Sequence, residues 1–130
     1  MNKRMIAVII IGLVLIGICI WEQVMVDSYL NDIYNQALYI QEYVEGMESV
    51  KDPKLMTLVE EMEEDWIKHE ELLCFIVNHK DIDELTVEIS RLKANIEGDQ
   101  SQDFKSGINV IIHYTEAYHH IMGVSIQNIL

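Results

Sequence analysis

Proline is almost absent: Pro53 is the only one in 130 residues. With so few breakers, long helices can run uninterrupted. Cysteine is scarce too. Cys19 lies inside an uncharged apolar run and Cys74 far beyond it, so no intrachain disulfide framework is available and the fold must rest on packing. Basic residues number nine against 22 acids. A surface this acidic argues against nucleic acid, whose phosphates call for Lys and Arg, and against lying flat on anionic lipid. The chain contains no GxSxG, no P-loop, no glycine-rich nucleotide fingerprint and no HExxH, so no recognisable catalytic or cofactor-binding constellation is present. The expectation is a protein that is not an enzyme and carries no cofactor.

What the chain does have is a long apolar run. From Met5 to Trp21 it reads MIAVIIIGLVLIGICIW, without a charge. As a helix this spans about 26 Å at 1.5 Å per residue, close to a hydrocarbon core of about 30 Å. Val24 to Val26 can extend it, and Trp21 sits where an interfacial aromatic belongs. Lys3 and Arg4 precede the run and every acid follows it. The positive-inside rule then keeps the N-terminus in the cytoplasm and exports the rest. A cleaved signal peptide has the same layout, but Trp21, Glu22 and Gln23 stand where small residues would mark cleavage. Ile18 likewise precedes Cys19, where a lipoprotein signal has a small residue. The reading is a cytoplasmic residue 1–4 segment, a retained single-pass anchor in the bilayer over residues 5–26, and an extracytoplasmic module over residues 27–130.

That module shows helix periodicity nearly throughout and no strand alternation. Val26, Leu30, Ile33, Ala37, Ile40, Val44 and Met47 step alternately by four and three, the seam of a packed amphipathic helix. With no breaker between seam and anchor, one helix is predicted from the membrane to about Glu48. Asp52-Pro53 is a start signal, an acidic N-cap followed by proline at the first helical position. The second helix places Leu55, Leu58, Met62, Trp66, His69, Leu72 and Ile76 on one side and is predicted to end near Asn78-His79. Asp81 with Glu84 forms a capping box for the third, whose inward set is Ile82, Leu85, Ile89, Leu92 and Ile96 before Gly98 ends it. In the fourth, Phe104, Ile108, Ile111, Thr115, Tyr118 and Met122 line up, Gly123 stops the helix, and residues 124–130, VSIQNIL, form an apolar tail. Each helix has one apolar stripe, and the stripes must cover one another. The fold class is therefore all-α: an N-terminal transmembrane helix continuous with the first helix of an exported antiparallel bundle of about four helices.

The chemical-looking residues concentrate in DWIKHEELLCFIVNHKDIDE, Asp65 to Glu84. On one straight helix His69 points into the apolar stripe, Cys74 lies about 140° around, and His79 about 15 Å along the axis. Zinc bonds of about 2.0–2.3 Å cannot join them in that geometry. His69 then reads as a core histidine beside Trp66, its N–H satisfied by a backbone carbonyl or by Lys93, Tyr114 or Tyr118. His79 reads as a cation near a helix C-terminus, and Asp81 and Asp83 as acids stabilised at the next helix start. Cys74 reads as a packing residue. A second metal candidate, His113, Glu116 and His120, shares one face of the last helix by steps of three and four, although a solvated polar face is the default for such a pattern.

Trp66 and His69 in W-x-x-H, then Leu72, Phe75 and Ile76, His79, Asp81-Ile82-Asp83, Arg91-Leu92-Lys93, His120-Ile121 and the Ser125 to Ile129 ending resemble a family of small membrane-anchored proteins of unknown function, DUF4363. Thr86 and Gly123 depart from that pattern, which has acids there. The resemblance implies an anchored all-helical module of Gram-positive, clostridia-like bacteria and supplies no reaction. It marks Trp66, His69, His79, Asp81, Asp83, Arg91, Lys93 and His120 as a candidate polar core or interaction cluster. The functional expectation is an accessory or interaction subunit of a membrane or envelope complex, with another membrane protein or a second copy as partner. The alternative is an extracytoplasmic ligand- or metal-binding sensor that uses the bundle histidines.

Overall fold

A computed structural model describes the backbone of residues 2–76 and 79–129 and the side chains of residues 2–74 and 79–117. Four helices follow in order: α1 Lys3–Val44, α2 Pro53–Ile76, α3 His79–Glu97 and α4 Ser101–Ile129. Each packs on its neighbours in the chain, and α4 closes the ring against α1. The result is an up-down-up-down bundle with short connections.

The helix α1 has two halves of different character. Its apolar residues from Met5 to Trp21, and Val24, are exposed, whereas Val26, Leu30, Ile33, Ala37, Ile40 and Val44 are buried. At 42 residues it is about 63 Å long, and it is long and apolar enough to cross a membrane, with its apolar portion uncovered by the bundle. No break separates the halves. The predicted continuity between apolar segment and bundle seam is therefore present in one helix.

The buried stripes step by three and four: the α1 set, then Leu55, Val59, Met62, Trp66 and Leu73 on α2, with half-buried His69 between the last two, Ile82, Leu85, Ile89, Leu92 and Ile96 on α3, and Phe104, Ile108, Ile111 and Thr115 on α4. This 3.5-residue average keeps each seam turned toward its partners and is the pattern of coiled-coil-like bundles. Each fully buried Leu, Ile or Phe contributes about 1.5–3 kcal/mol of apolar burial, so these stripes hold the bundle together. Gly107 lets α3 and α4 approach closely: a Cβ there would stand 3.3 Å from Leu92 Cδ2.

Several boundaries differ from those read in the sequence. α1 stops at Val44 rather than Glu48, because Gly46 turns the chain with φ +80°, a conformation glycine adopts freely. On α2 the seam passes through Val59 and Leu73; Leu58 is half-buried and Leu72 exposed. Leu58 and Val59 are both apolar neighbours, and the faces of α1 and α3 decide which one points inward. The side chain of Ile76 lies outside the described residues. α3 begins at His79, which places Asp81 in its first turn and removes its predicted role as N-cap. Glu84, the other half of the predicted capping box, accepts a hydrogen bond from the Tyr114 hydroxyl instead. α4 runs through Gly123 to Ile129, so the predicted tail is helical in its backbone. One glycine inside a helix costs only about 1 kcal/mol and need not end it. The side chains of Tyr118 and Met122 lie outside the described residues.

The end of the bundle away from the apolar segment is fastened by polar contacts. Asp52 caps α2, its Oδ1 accepting from the Lys54 N–H at 2.9 Å and its Oδ2 from the Tyr43 hydroxyl at 2.7 Å. After α3, Asp99 takes the left-handed conformation expected of the neighbouring Gly98, with φ 51°. Its N–H donates to the Ile96 carbonyl and that of Gln100 to Asn95, at 3.1 and 2.8 Å, the two bonds of a Schellman motif. Aspartate is one of the few non-glycine residues that tolerate this region. Here its carboxylate is used: Oδ1 accepts from the Ser49 hydroxyl and the Val50 N–H, both at 2.9 Å. Lys105 Nζ adds a bond to the Met47 carbonyl at 3.0 Å. The 45–52 loop is thus tied to α1, to the α3–α4 turn and to α4.

These bonds set a pH dependence. The Tyr43 hydroxyl, then the Lys54 N–H, hold Asp52 below the ordinary aspartate range. The Ser49 hydroxyl, then the Val50 N–H, do the same for Asp99. A carboxylate lowered by folding stabilises fully above its unfolded pKa of about 3.9, and that stabilisation disappears as pH falls through the lower folded value. Thermal melts at decreasing pH are expected to lose stability below about pH 4, with the acid limb flattened in Asp52→Asn and Asp99→Asn. At neutral pH the melting temperatures should rank wild type above Asp99→Gly above Asp99→Ala, since alanine loses the carboxylate and also strains the backbone.

Candidate functional site

The residues marked as a cluster are distributed over several contacts. Trp66 is the largest buried side chain. Its indole Nε1–H donates to Thr86 Oγ1 at 2.9 Å, and the threonine hydroxyl faces two acceptors, Glu70 Oε1 and the Ile82 carbonyl, each at 3.0 Å. The buried tryptophan N–H is thereby satisfied, and α2 is joined to α3.

His69 is half-buried on the α1 side of α2 and does not occupy the centre of the core. Its Nδ1 lies 2.8 Å from the Asp65 carbonyl. A carbonyl only accepts, so Nδ1 carries the hydrogen. Among the described residues its partner is a backbone carbonyl, one of those read from the sequence. The imidazole packs on the Tyr29 ring at 3.7 Å between centroids, beside a cavity of about 160 Å³ lined also by Asp32, Asp65 and Leu73. Close by, Gln36 Nε2 donates to Asp65 Oδ2 at 2.8 Å, tying α1 to α2 one turn higher.

The two cations of the Arg-Leu-Lys motif pair with separate acids, Arg91 within α3 and Lys93 across to α2. Arg91 reaches Glu88 at 3.3 Å and Lys93 reaches Glu60 at 3.8 Å. Exposed pairs of this kind contribute about 0–1 kcal/mol. Of the other metal candidate, His113 and Glu116 are exposed on α4, with His113 edge-on to Tyr114 at 6.2 Å. The His120 side chain lies outside the described residues. Next to His113, Tyr114 donates to Glu84, and this bond to an ionised acceptor raises the pKa of the phenol.

The sequence reading missed a different trio. His69, Cys74 and His79 do not share one straight helix, because α2 ends at Ile76 and α3 starts at His79. The reversal returns His79 to the end of α2. Cys74, His79 and Asp83 each offer a ligand atom, and all three atoms lie within 4.8 Å of one another. His79 Nε2 and Asp83 Oδ2 are 3.3 Å apart, one turn of α3 between them. His79 thus stands at a helix start, not at the helix C-terminus read from the sequence. The helix dipole disfavours a cation there, and Asp83 offsets it. Burial, then the charges of Asp83, Glu70 and Glu71, push the Cys74 thiol up from its ordinary value. The available signal was the C-x4-H-x3-D spacing, which becomes a cluster once the helix breaks within it.

The Trp66–Thr86 bond can be measured by denaturant unfolding. Thr86→Val leaves the indole N–H unsatisfied and should cost about 1–3 kcal/mol, and Trp66→Ala about 3–5 kcal/mol. Trp66→Phe with Thr86→Val should cost less than the two single changes added together, by about 1 kcal/mol of coupling.

No curated protein sequence and no solved structure matches the chain. Residues 20–129 do match a family described as Domain of unknown function (DUF4363). The match takes in the bundle half of α1 and all of α2, α3 and α4. Within it fall the buried Trp66, Ile82 and Leu92, as well as His69, His79 and Asp83 beside the α2–α3 reversal. With that match covering most of its length, the chain belongs to the DUF4363 family.

Proposed function

We propose that the protein is a single-pass membrane protein whose acidic bundle stands outside the cytoplasm as an accessory or interaction subunit of a membrane or envelope complex, without catalysing a reaction. The observation that carries this reading is the continuity of α1. The exposed apolar segment and the buried seam are parts of one helix. A partner that grips the segment within a bilayer therefore also sets the position and rotation of the bundle above it. The basic pair before the segment and the acids after it orient the N-terminus inward.

The partner is another membrane protein or a second copy of the chain. Exposed Val, Ile and Leu side chains surround α1 from Met5 to Ile20, and helix association in lipid relies on packing of such surfaces. Affinity purification of the full-length chain from its native membranes in mild detergent, after photo-crosslinking from Val8, Leu13 and Ile16, tests the proposal. A reproducible crosslinked product, either with a second membrane protein or with another copy, is expected. A chain that always runs alone contradicts it.

A further inference from the structure

We propose that Cys74, His79 and Asp83 form a binding site for a thiophilic divalent cation of the zinc class at the α2–α3 reversal. The inference does not depend on the interaction role proposed above.

The donor set is the first ground. Thiolate sulfur, imidazole nitrogen and carboxylate oxygen together suit zinc, which accepts all three and has no geometric preference of its own. Geometry is the second. Bonds of about 2.0–2.3 Å in a tetrahedron place ligand atoms about 3.3–3.8 Å apart. The His79–Asp83 edge, at 3.3 Å, already has that length. The edges to Cys74 lie within 4.8 Å, so side-chain rotation of about 1 Å closes the site. His79 and Asp83 have 72% and 57% of their side-chain surface exposed, which leaves them room to rotate and gives an ion direct access.

The electrostatic setting is the third ground. Glu70 and Glu71 act on the Cys74 sulfur together with Asp83. A dication therefore enters a field of carboxylates. On binding, the Cys74 thiol gives its proton to solvent and its sulfur bonds the metal. Neutral His79 donates the Nε2 lone pair, and Asp83 donates as carboxylate. Three protein ligands leave a fourth position for water.

Position gives the site its consequence. His69 packs on Tyr29. From there α2 descends about 10 Å to Ile76, while α1 descends about 12 Å to Trp21. The reversal thus lies level with the end of the apolar segment. An ion bridging Cys74 on α2 to His79 and Asp83 on α3 would clamp the bundle where it meets the membrane surface.

Cobalt(II) titration of the reduced full-length protein in nanodiscs tests the site, followed by zinc competition. Expected is a saturating thiolate-to-cobalt charge-transfer absorption with tetrahedral visible bands, bleached by zinc. Cys74→Ser should abolish the charge-transfer absorption, and His79→Gln and Asp83→Asn should each weaken binding. His113→Gln should leave binding unchanged. Far-UV circular dichroism verifies that each variant stays helical; if Cys74→Ser unfolds, the exposed His79→Gln carries the same comparison. Absence of charge transfer in the wild type, its persistence in Cys74→Ser, or binding indifferent to both His79→Gln and Asp83→Asn would overturn the proposal.

Discussion

The continuity of α1 is the constraint on which the rest of the structure depends. From Met5 to Trp21 the helix is apolar and exposed, and from Val26 it offers one buried stripe. The two halves of one helix thus suit different surroundings. The apolar half is not covered by the bundle and is long enough to cross a bilayer. The other half supplies one of the four core stripes, and α2 and α4 pack directly against it while α3 closes the bundle between them. The alternating steps on all four helices are the sequence-level record of that packing.

The bundle is fastened differently at its two ends. Away from the apolar segment, Asp52, Asp99 and Lys105 hold the 45–52 loop with directed hydrogen bonds. In the middle, Trp66 and Thr86 join α2 to α3, and Gln41 bonds Asn109 between α1 and α4 at 2.5 Å. At the segment end the described polar contacts include the His79–Asp83 pair with Cys74 nearby. This is the end at which a metal ion would change the connection between helices most.

Much of the architecture is legible in the sequence because helix periodicity is a strong local signal. The seam of α3, that of α1 up to Val44 and the Asp52-Pro53 start are read correctly residue by residue, whereas Met47, read as the last seam residue of α1, lies half-buried beyond its end. The seam of α2 is not, since Leu58-Val59 and Leu72-Leu73 offer two adjacent apolar choices and only the packed neighbours select between them. Helix ends carry the other errors. Gly46 stops α1, with φ +80°, and Gly123 does not stop α4; a glycine costs a helix only about 1 kcal/mol, so its presence alone does not decide a helix end. The Cys74–His79–Asp83 trio is hidden for a related reason: ligand spacing computed on one straight helix is wrong when the helix reverses inside the motif. His69 shows the opposite case. Its predicted carbonyl partner is local, Asp65 one turn away, whereas its depth depends on Tyr29 from another helix.

Amide hydrogen exchange across Trp21 to Leu30, in the full-length protein reconstituted in nanodiscs, tests the central claim most directly. A single helix shared by apolar segment and bundle predicts uninterrupted protection through this stretch, with opening no easier than in the flanking turns. A window of rapid exchange between Trp21 and Val26, with protected residues on either side, would reveal a hinge and contradict the rigid coupling of the bundle to its anchor.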